Sequence, residues 1–224
     1  WLPGGYVGVD VFFVISGYLI ITQIVSSLKQ GRFSFGEFWS RRALRILPPY
    51  LLVILASSLV APYDLVMPSE FDEFAREVAY SALMVVNHLF LSQQGYFDQA
   101  ADTKILLHLW SLAVEEQFYV FAPLIIAAVW RFRRGMTAFA TVAFVASLAG
   151  CIYWTGTEGD KNYSFYVMPL RAWEFIAGGA IGAAVPYVSR LPRGIIEAIA
   201  IAGLAAIAYS VAFFDHDTAF PSYW

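Results

Sequence analysis

Charged residues are scarce in this chain. They make up 14% of its 224 residues, and hydrophobic residues make up 59%, whereas a soluble domain carries about 25% charged residues. This shortage argues against a water-soluble globular domain. The formal net charge of −3 at pH 7 likewise gives no basic field that could attract nucleic acid. Nucleic acid is therefore excluded as a partner.

Several short motifs are also lacking. Cys151 is the single cysteine, which excludes a disulfide bond within the chain. The sequence has no metal-ligand spacing, no Walker loop and no Gly-x-Ser-x-Gly elbow. We therefore expect no metal and no permanently bound cofactor.

Long apolar runs dominate the chain instead. Examples are ILPPYLLVILASSLVAPY, TAFATVAFVASLAGCIYW and IIEAIAIAGLAAIAYSVAFF. Each run approaches the roughly 20 residues that cross a hydrocarbon core about 30 Å thick. The sequence thus predicts an all-α fold, a polytopic transmembrane helical bundle with about six spanning helices, in contact with the lipid bilayer.

Basic loops predict how the chain is threaded, because Lys and Arg stay on the cytoplasmic side. Residues 29–45 and 131–135 are both rich in arginine, so an even number of spans must separate them. Three apolar segments lie between these loops, at residues 46–62, 76–92 and 108–130. Asn87 and His88 interrupt the second segment, which we predict to be a re-entrant or interfacial helix on the outer side.

Ionisable residues inside apolar segments are costly and by default mark functional sites. Asp10 lies in the first apolar segment, near its outer end. His108, Ser111 and Glu115 follow the spacing i, i+3 and i+7, which would place them on one helix face. We predict Asp10, His108 and Glu115 as catalytic candidates. For His108, a hydrogen-bonded contact between helices is an equal alternative.

Glu115 and Glu116 are adjacent, so on a helix their side chains differ in direction by about 100°. Because one partner cannot satisfy both carboxylates, we predict a functional role for Glu115 and a structural role for Glu116. Arg171 lies three residues before Glu174 and can pair with it on a helix, or with one of the two adjacent acids. The predicted structural polar group comprises Glu116, Arg171, Glu174, Trp110 and Trp173. The alternative is that all these charges only hold helices together.

Arginines cluster in the stretch FWSRRALRILPPY. Arg42 and Arg45 lie three apart and would project from one side of a short cytoplasmic helix, which Pro48 and Pro49 are expected to interrupt. Guanidinium groups bind phosphates through two parallel hydrogen bonds. We therefore predict that Arg42 and Arg45, with Arg41, bind an anionic cytoplasmic ligand. A plain positive-inside anchor is the alternative, but it does not explain the pairing.

Four stretches occur in a characteristic order: GGYVGVDVFFVISGYLI, FWSRRALRILPPY, LLHLWSLAVEEQFYVFAPL and FYVMPLRAWEFIAGG. Over residues 4–182 the chain resembles the integral membrane acyltransferase family 3, the bacterial O-acyltransferases that modify cell-envelope sugars. The resemblance implies a multi-pass protein of the inner membrane. Its expected activity moves an acyl group, commonly acetyl from acetyl-CoA, to hydroxyls of lipopolysaccharide, peptidoglycan or another exported glycan.

The resemblance also implies roles for individual residues. Arg42 and Arg45 match the family's Arg-x-x-Arg acyl-donor motif. Positions of the family's polar interior are matched by Asp10, His108, Glu115, Glu116, Arg171 and Glu174. The presumed catalytic histidine of the family would lie upstream of Trp1, so residues 1–224 are expected to be a partial domain that is inactive alone. An extracytoplasmic esterase-like domain is a further expected partner.

Two other classes of protein compete with the enzyme hypothesis. A transporter or flippase for an envelope intermediate would use the same embedded charges to line a substrate path. A scaffold would use them only for pairing. The transporter hypothesis predicts repeated halves, which the sequence lacks, and the scaffold hypothesis does not explain Arg42 and Arg45.

Overall fold

A computed structural model describes residues 3–65, 67–93, 104–156 and 161–214. Within these ranges the chain forms α-helices and short 3-10 turns and contains no β-strand, which confirms the predicted all-α fold. The helices are α1 (Val7–Lys29), α2 (Phe35–Asp64), α3 (Pro68–Ala82), α4 (Val86–Ser92), α5 (Leu109–Trp130), α6 (Met136–Gly156), α7 (Lys161–Tyr166), α8 (Met168–Val188) and α9 (Arg193–Phe213).

Five helical stretches in the described part of the chain are long and apolar enough to cross a membrane. They are Gly4–Lys29, Phe35–Tyr63, Leu109–Trp130, Met136–Gly156 and Arg193–Phe213. Helix α8, the sixth span that the sequence predicts, is also 21 residues long. It is not among the five, and it carries Arg171 and Glu174 in its first two turns. The chain is a multi-pass membrane protein.

The chain divides into two compact units. The first unit comprises Trp1–Gln30, Ile126–Phe165 and Pro169–Trp224, and therefore contains the end of α5, most of α7, and helices α1, α6, α8 and α9. The second unit comprises Gly31–Ile125 and Tyr166–Met168, and contains α2, α3, α4 and most of α5.

Helices α1 and α8 cross at backbone contact in the first unit. A Cβ atom added at Gly17 would lie 2.1 Å from the carbonyl oxygen of Phe175, and one at Gly178 would lie 2.0 Å from that of Val14. Small residues permit such an approach between membrane helices. Beside the crossing, the rings of Phe13 and Phe175 stack with their centroids 4.7 Å apart. Gly17 and Gly178 therefore allow the two helices to pack closely.

A side chain of α6 reaches the first turns of α8. The hydroxyl of Ser147 donates to the carbonyl oxygen of Pro169 at 2.7 Å and accepts the backbone N–H of Trp173 at 2.9 Å. These two backbone groups are four residues apart, which is the spacing that a regular α-helix joins directly. The hydroxyl therefore bridges a helical hydrogen-bonding pair from outside the helix.

Helix α2 of the second unit is continuous over 30 residues, and Pro48, Pro49 and Pro62 lie within it. The predicted break at Pro48 and Pro49 is therefore wrong. Each proline removes one backbone hydrogen bond, but its fixed φ near −65° suits a helix. The basic segment and the following apolar segment form a single helix, because the remaining helical bonds persist on both sides of the proline pair.

The segment at residues 76–92 forms parts of two short helices. Helices α3 and α4 are separated at Met84, whose φ of 56° lies in the left-handed region. Their 15 and 7 residues correspond to about 22 and 10 Å, less than the roughly 30 Å of a hydrocarbon core. Neither helix can span, as the sequence predicts. Their position on the outer side stays a prediction.

Buried polar contacts fix these short helices to the rest of the second unit. Glu77, which is buried, accepts the backbone N–H of Leu106 at 3.0 Å. Burial raises the pKa of Glu77, while the Leu106 hydrogen bond and the charge of Lys104 oppose part of that rise. Asn87 donates to the carbonyl oxygen of Tyr166 at 3.0 Å and accepts from the side-chain amide of Gln117 at 2.9 Å. The unit is thus joined through side chains as well as helix packing.

The threading makes a prediction for cysteine labelling of the full-length protein in a Cys151→Ala background. The exposed positions Ser69 on α3 and His88 on α4, changed singly to cysteine, should both react with a membrane-impermeant maleimide in intact cells. Ser40→Cys, at the other end of the spanning helix α2, is the control and should react only after permeabilisation. Labelling of Ser69→Cys and His88→Cys from opposite sides would contradict the threading.

Candidate functional site

The three predicted donor-binding arginines have different surroundings on α2. Arg41 is exposed and forms an ion pair with Glu37, one turn away. Arg45 is also exposed, whereas Arg42 is half-buried. The guanidinium carbon of Arg42 lies 5.8 Å from the ring centroid of Phe38 and 5.9 Å from that of Tyr119, within the range of cation–π attraction. Arg42 is therefore held between the rings of Phe38 and Tyr119.

Helix α2 is also joined to α5 through a tryptophan. The helix begins after Ser34, whose side chain accepts the backbone N–H of Glu37 at 3.5 Å. One turn further along, the indole N–H of Trp39 donates to the backbone carbonyl oxygen of Tyr119 at 3.1 Å. This bond fixes the basic end of α2 against the middle of α5, three residues before Arg42.

Glu115 and Glu116 on α5 have different environments, as their adjacency predicts. Glu115 is 4% exposed and accepts a hydrogen bond from the hydroxyl of Tyr119, one helical turn away. Glu116 is half-buried, and the charge of Arg42 acts on it together with that of Glu115. Glu116 thus interacts electrostatically with both Arg42 and Glu115 within the second unit.

His108 does not share the surroundings of Glu115. Helix α5 begins at Leu109, so His108 belongs to the preceding turn, where it is exposed. The prediction that His108, Ser111 and Glu115 lie on one helix face is therefore wrong. The prediction failed because the angular spacing of a helix does not extend into the turn before α5. In that turn the backbone N–H of Leu106 donates to the Glu77 carboxylate.

A second cluster of charges lies in the first unit, between α1 and α8. Arg171 and Glu174 are fully buried, and the Arg171 Nε and Nη2 atoms lie 2.8 and 2.9 Å from the two carboxylate oxygens of Glu174. Arg171 also pairs with Asp10 of α1. The rings of Phe13 and Phe165 lie 5.0 and 5.4 Å from its guanidinium carbon. Among the partners that the sequence offers Arg171, the structure assigns Glu174, and it adds Asp10.

The predicted tryptophans have packing contacts. Trp110 is buried in the second unit, where its ring meets that of Tyr166 edge to face with the centroids 5.3 Å apart. Trp173 packs against Phe144 in the first unit with a centroid distance of 6.3 Å. Each of these tryptophan rings thus packs against another aromatic ring of its own unit.

Sequence reasoning missed Tyr119, although a signal was available. Tyr119 follows Glu115 by four residues, the spacing at which side chains on a helix meet. It also missed Trp39, whose contact with Tyr119 joins residues 80 positions apart. No local pattern could have revealed that bond.

The chemical capacity of the second unit follows from these groups. A guanidinium ion can bind an anion such as a phosphate, and a carboxylate held by a tyrosine can accept a proton. Groups of three or more potential metal ligands do not occur among the residues that the structure describes.

The helices and the charges held between them define a class, a multi-pass membrane protein with ionisable groups inside each of its two units. The sequence comparison then identifies the family. Residues 2–224 match the acyltransferase domain family Acyl_transf_3, so the chain belongs to that family. This match confirms the resemblance drawn from the four stretches.

Curated relatives share about a third of their aligned residues with the chain. The O-acetyltransferase OatA of Staphylococcus aureus is 35% identical over 185 residues, which cover 80% of this chain and 30% of OatA. BcsY of Komagataeibacter xylinus, for which the activity of a membrane-bound transacylase is proposed, is 35% identical over 228 residues, covering 100% of this chain and 55% of BcsY.

An uncharacterised protein of Haemophilus influenzae is 36% identical over 179 residues, which cover 77% of this chain and 72% of that protein. The chain thus spans about a third to a half of the length of the named relatives. No solved structure matches the chain.

The cluster in the first unit makes a prediction for stability. Arg171→Met removes the cation that Asp10 and Glu174 share, and breaking such a buried pair costs about 3–5 kcal/mol. We expect a clearly lower thermal unfolding temperature for the detergent-purified full-length protein. The triple change Asp10→Asn, Arg171→Met and Glu174→Gln should recover much of the loss, because it removes all three charges together.

The matched control is Arg193→Met. Arg193 pairs with Glu197 one turn away on α9, but both side chains are exposed, and exposed pairs contribute about 0–1 kcal/mol. An unfolding temperature for Arg171→Met equal to that of Arg193→Met would contradict a stabilising role for the cluster.

Proposed function

We propose that this chain is the membrane domain of an O-acyltransferase. The acyl group is acetyl in the simplest case, its donor is an acyl-CoA in the cytoplasm, and its acceptor is a hydroxyl of an exported glycan such as lipopolysaccharide O-antigen or peptidoglycan. The match of residues 2–224 to an acyltransferase family carries the proposal. The names of two relatives, an O-acetyltransferase and a proposed membrane-bound transacylase, support it.

Arginines of α2 provide the proposed donor site. A CoA thioester carries phosphates, which guanidinium groups bind in a bidentate manner. Arg45 is exposed and can meet such a ligand from the cytoplasmic side, while Arg42 is held nearer the acids of α5 by the rings of Phe38 and Tyr119. Arg41, already paired with Glu37, contributes positive charge at the edge of the site.

The proposed reaction needs a group that accepts a proton. The acceptor oxygen forms a bond with the thioester carbonyl carbon as the carbon–sulfur bond breaks, and the hydroxyl proton leaves while the CoA thiolate gains one. We assign proton transfer to Glu115, because it is buried beside the Tyr119 hydroxyl. Glu116 balances the charge of Arg42.

The other predicted catalytic candidates receive different assignments. Asp10 is paired with Arg171 in the first unit, which favours a role in holding α1 against α8. His108 is exposed in the turn before α5 and is left outside the proton-transfer step. The inner membrane is the proposed location, and an extracytoplasmic esterase-like domain is a proposed partner for acyl delivery.

The test is acyl transfer by the purified full-length protein in proteoliposomes. Radiolabelled acetyl-CoA is supplied on the side of the α2 arginines, and labelled glycan product is counted with wild type, Glu115→Gln and Glu116→Gln. We expect Glu115→Gln to insert and unfold as wild type does but to lose transfer. Glu116→Gln should lower the yield of folded protein, because it removes a partly buried carboxylate whose charge interacts with that of Arg42.

Glu197→Gln, on the exposed pair of α9, is the control and should leave both yield and transfer unchanged. Movement of an unacylated envelope intermediate across the bilayer without transfer would favour a transporter instead. Full activity in both Glu115→Gln and Glu116→Gln would exclude these acids from the mechanism.

A separate prediction concerns the donor. Arg45→Ala should weaken acyl-CoA binding by about 1.5–3 kcal/mol, the range for a hydrogen bond to a charged group. Arg45→Lys should recover only part of the affinity, since an ammonium group cannot reproduce the two parallel bonds of a guanidinium. Equilibrium binding of a CoA thioester to the solubilised protein measures both. Unchanged affinity in both variants would mean that Arg45 serves topology alone.

A further inference from the structure

Tyr119 contacts both parts of the proposed site. Its hydroxyl donates to the Glu115 carboxylate on the same helix. Its backbone carbonyl oxygen accepts the indole N–H of Trp39 at 3.1 Å, and its ring centroid lies 5.9 Å from the guanidinium carbon of Arg42. The side chain is 5% exposed. The hydroxyl of Tyr119 thus contacts Glu115 on α5, while its ring and its backbone carbonyl contact Arg42 and Trp39 on α2.

Each portion acts on a different neighbour. The hydroxyl restricts the orientation of the Glu115 carboxylate, because a hydrogen bond favours one rotamer. The ring face attracts the Arg42 guanidinium, and so does the ring of Phe38, which lies with Arg42 on α2. The backbone carbonyl holds Trp39 whatever the side chain is. A substitution can therefore remove the hydroxyl without the ring, or both, and leave the Trp39 bond in place.

We propose that Tyr119 is a positioning residue that fixes the Glu115 carboxylate relative to Arg42 for acyl transfer. The proposal rests on the function proposed above and adds a residue to it. The hydroxyl serves the chemical step, since a carboxylate displaced by about 1 Å can cost roughly 100-fold in rate. The ring serves donor binding, since it helps to hold Arg42.

The experiment compares Tyr119→Phe with Tyr119→Leu in the full-length protein in proteoliposomes, with acetyl-CoA as the varied substrate. Tyr119→Phe keeps the ring and should lower kcat about 10- to 100-fold with the KM for acetyl-CoA within about twofold of wild type. Tyr119→Leu lacks the ring as well, and should show the same fall in kcat together with a KM raised several-fold.

Tyr50→Phe is the matched control, because Tyr50 is also buried in the second unit and donates its hydroxyl to a backbone carbonyl, that of Ser81, at 2.8 Å. Both Tyr→Phe variants should lower the unfolding temperature to a similar, small extent. The fall in kcat should be confined to the Tyr119 variants, which separates positioning from the general loss of a buried hydrogen bond.

Two results would overturn the inference while leaving the proposed function intact: wild-type kcat in Tyr119→Phe, or equal losses of kcat in Tyr119→Phe and Tyr50→Phe. A third result, no transfer by the wild-type protein, would overturn the proposed function and this inference with it. A KM that rises in Tyr119→Phe as much as in Tyr119→Leu would also count against the division of roles between hydroxyl and ring.

Discussion

A charge placed among apolar helices must find a counter-charge on a neighbouring helix or turn, and this constraint governs the first unit. Arg171 has no exposed surface, and it is surrounded by Phe13, Phe165 and two carboxylates. One of those carboxylates, Glu174, lies on its own helix, whereas Asp10 lies on α1. The ion pair can form only when α1 and α8 lie close, which the glycine crossing permits.

The second unit meets the same constraint differently, because Tyr119 contacts both the cation Arg42 and the acid Glu115. Arg42 is attracted by two rings and by the charge of Glu116, and Glu115 is held by a tyrosine that also faces the arginine. Arg42 is half-buried, whereas Arg171 has no exposed surface. The fully buried cluster joins two helices through ion pairs, while the half-buried cation faces aromatic rings.

Apolar runs were sufficient to predict the helices, because membrane segments must satisfy their backbone groups internally whatever their side chains contact. The parity of the basic loops predicted that one apolar segment does not span, and Asn87 and His88 indicated that it is residues 76–92. The break at Pro48 and Pro49 was predicted wrongly because proline weakens a helix by an amount that the rest of a 30-residue helix can absorb.

His108 was misplaced because α5 follows a turn in which the Leu106 N–H donates to Glu77, 29 residues earlier in the chain. Local spacing predicts Arg171 with Glu174, but not Asp10 with Arg171, because 161 positions separate that pair.

The Ser147 hydroxyl gives α8 a property that its own sequence does not supply. Because one oxygen both receives the Trp173 N–H and donates to the Pro169 carbonyl, the pitch of the first turns of α8 is set partly by α6. Arg171 lies between those two residues, so the depth of its charge is tied to the register of α6. If α6 slid by a single turn, the Ser147 hydroxyl would move away. The backbone groups of Pro169 and Trp173, on either side of Arg171, would then lose their hydrogen bonds to it. The embedded charge is thereby made sensitive to a helix with which it forms no ion pair among the described contacts.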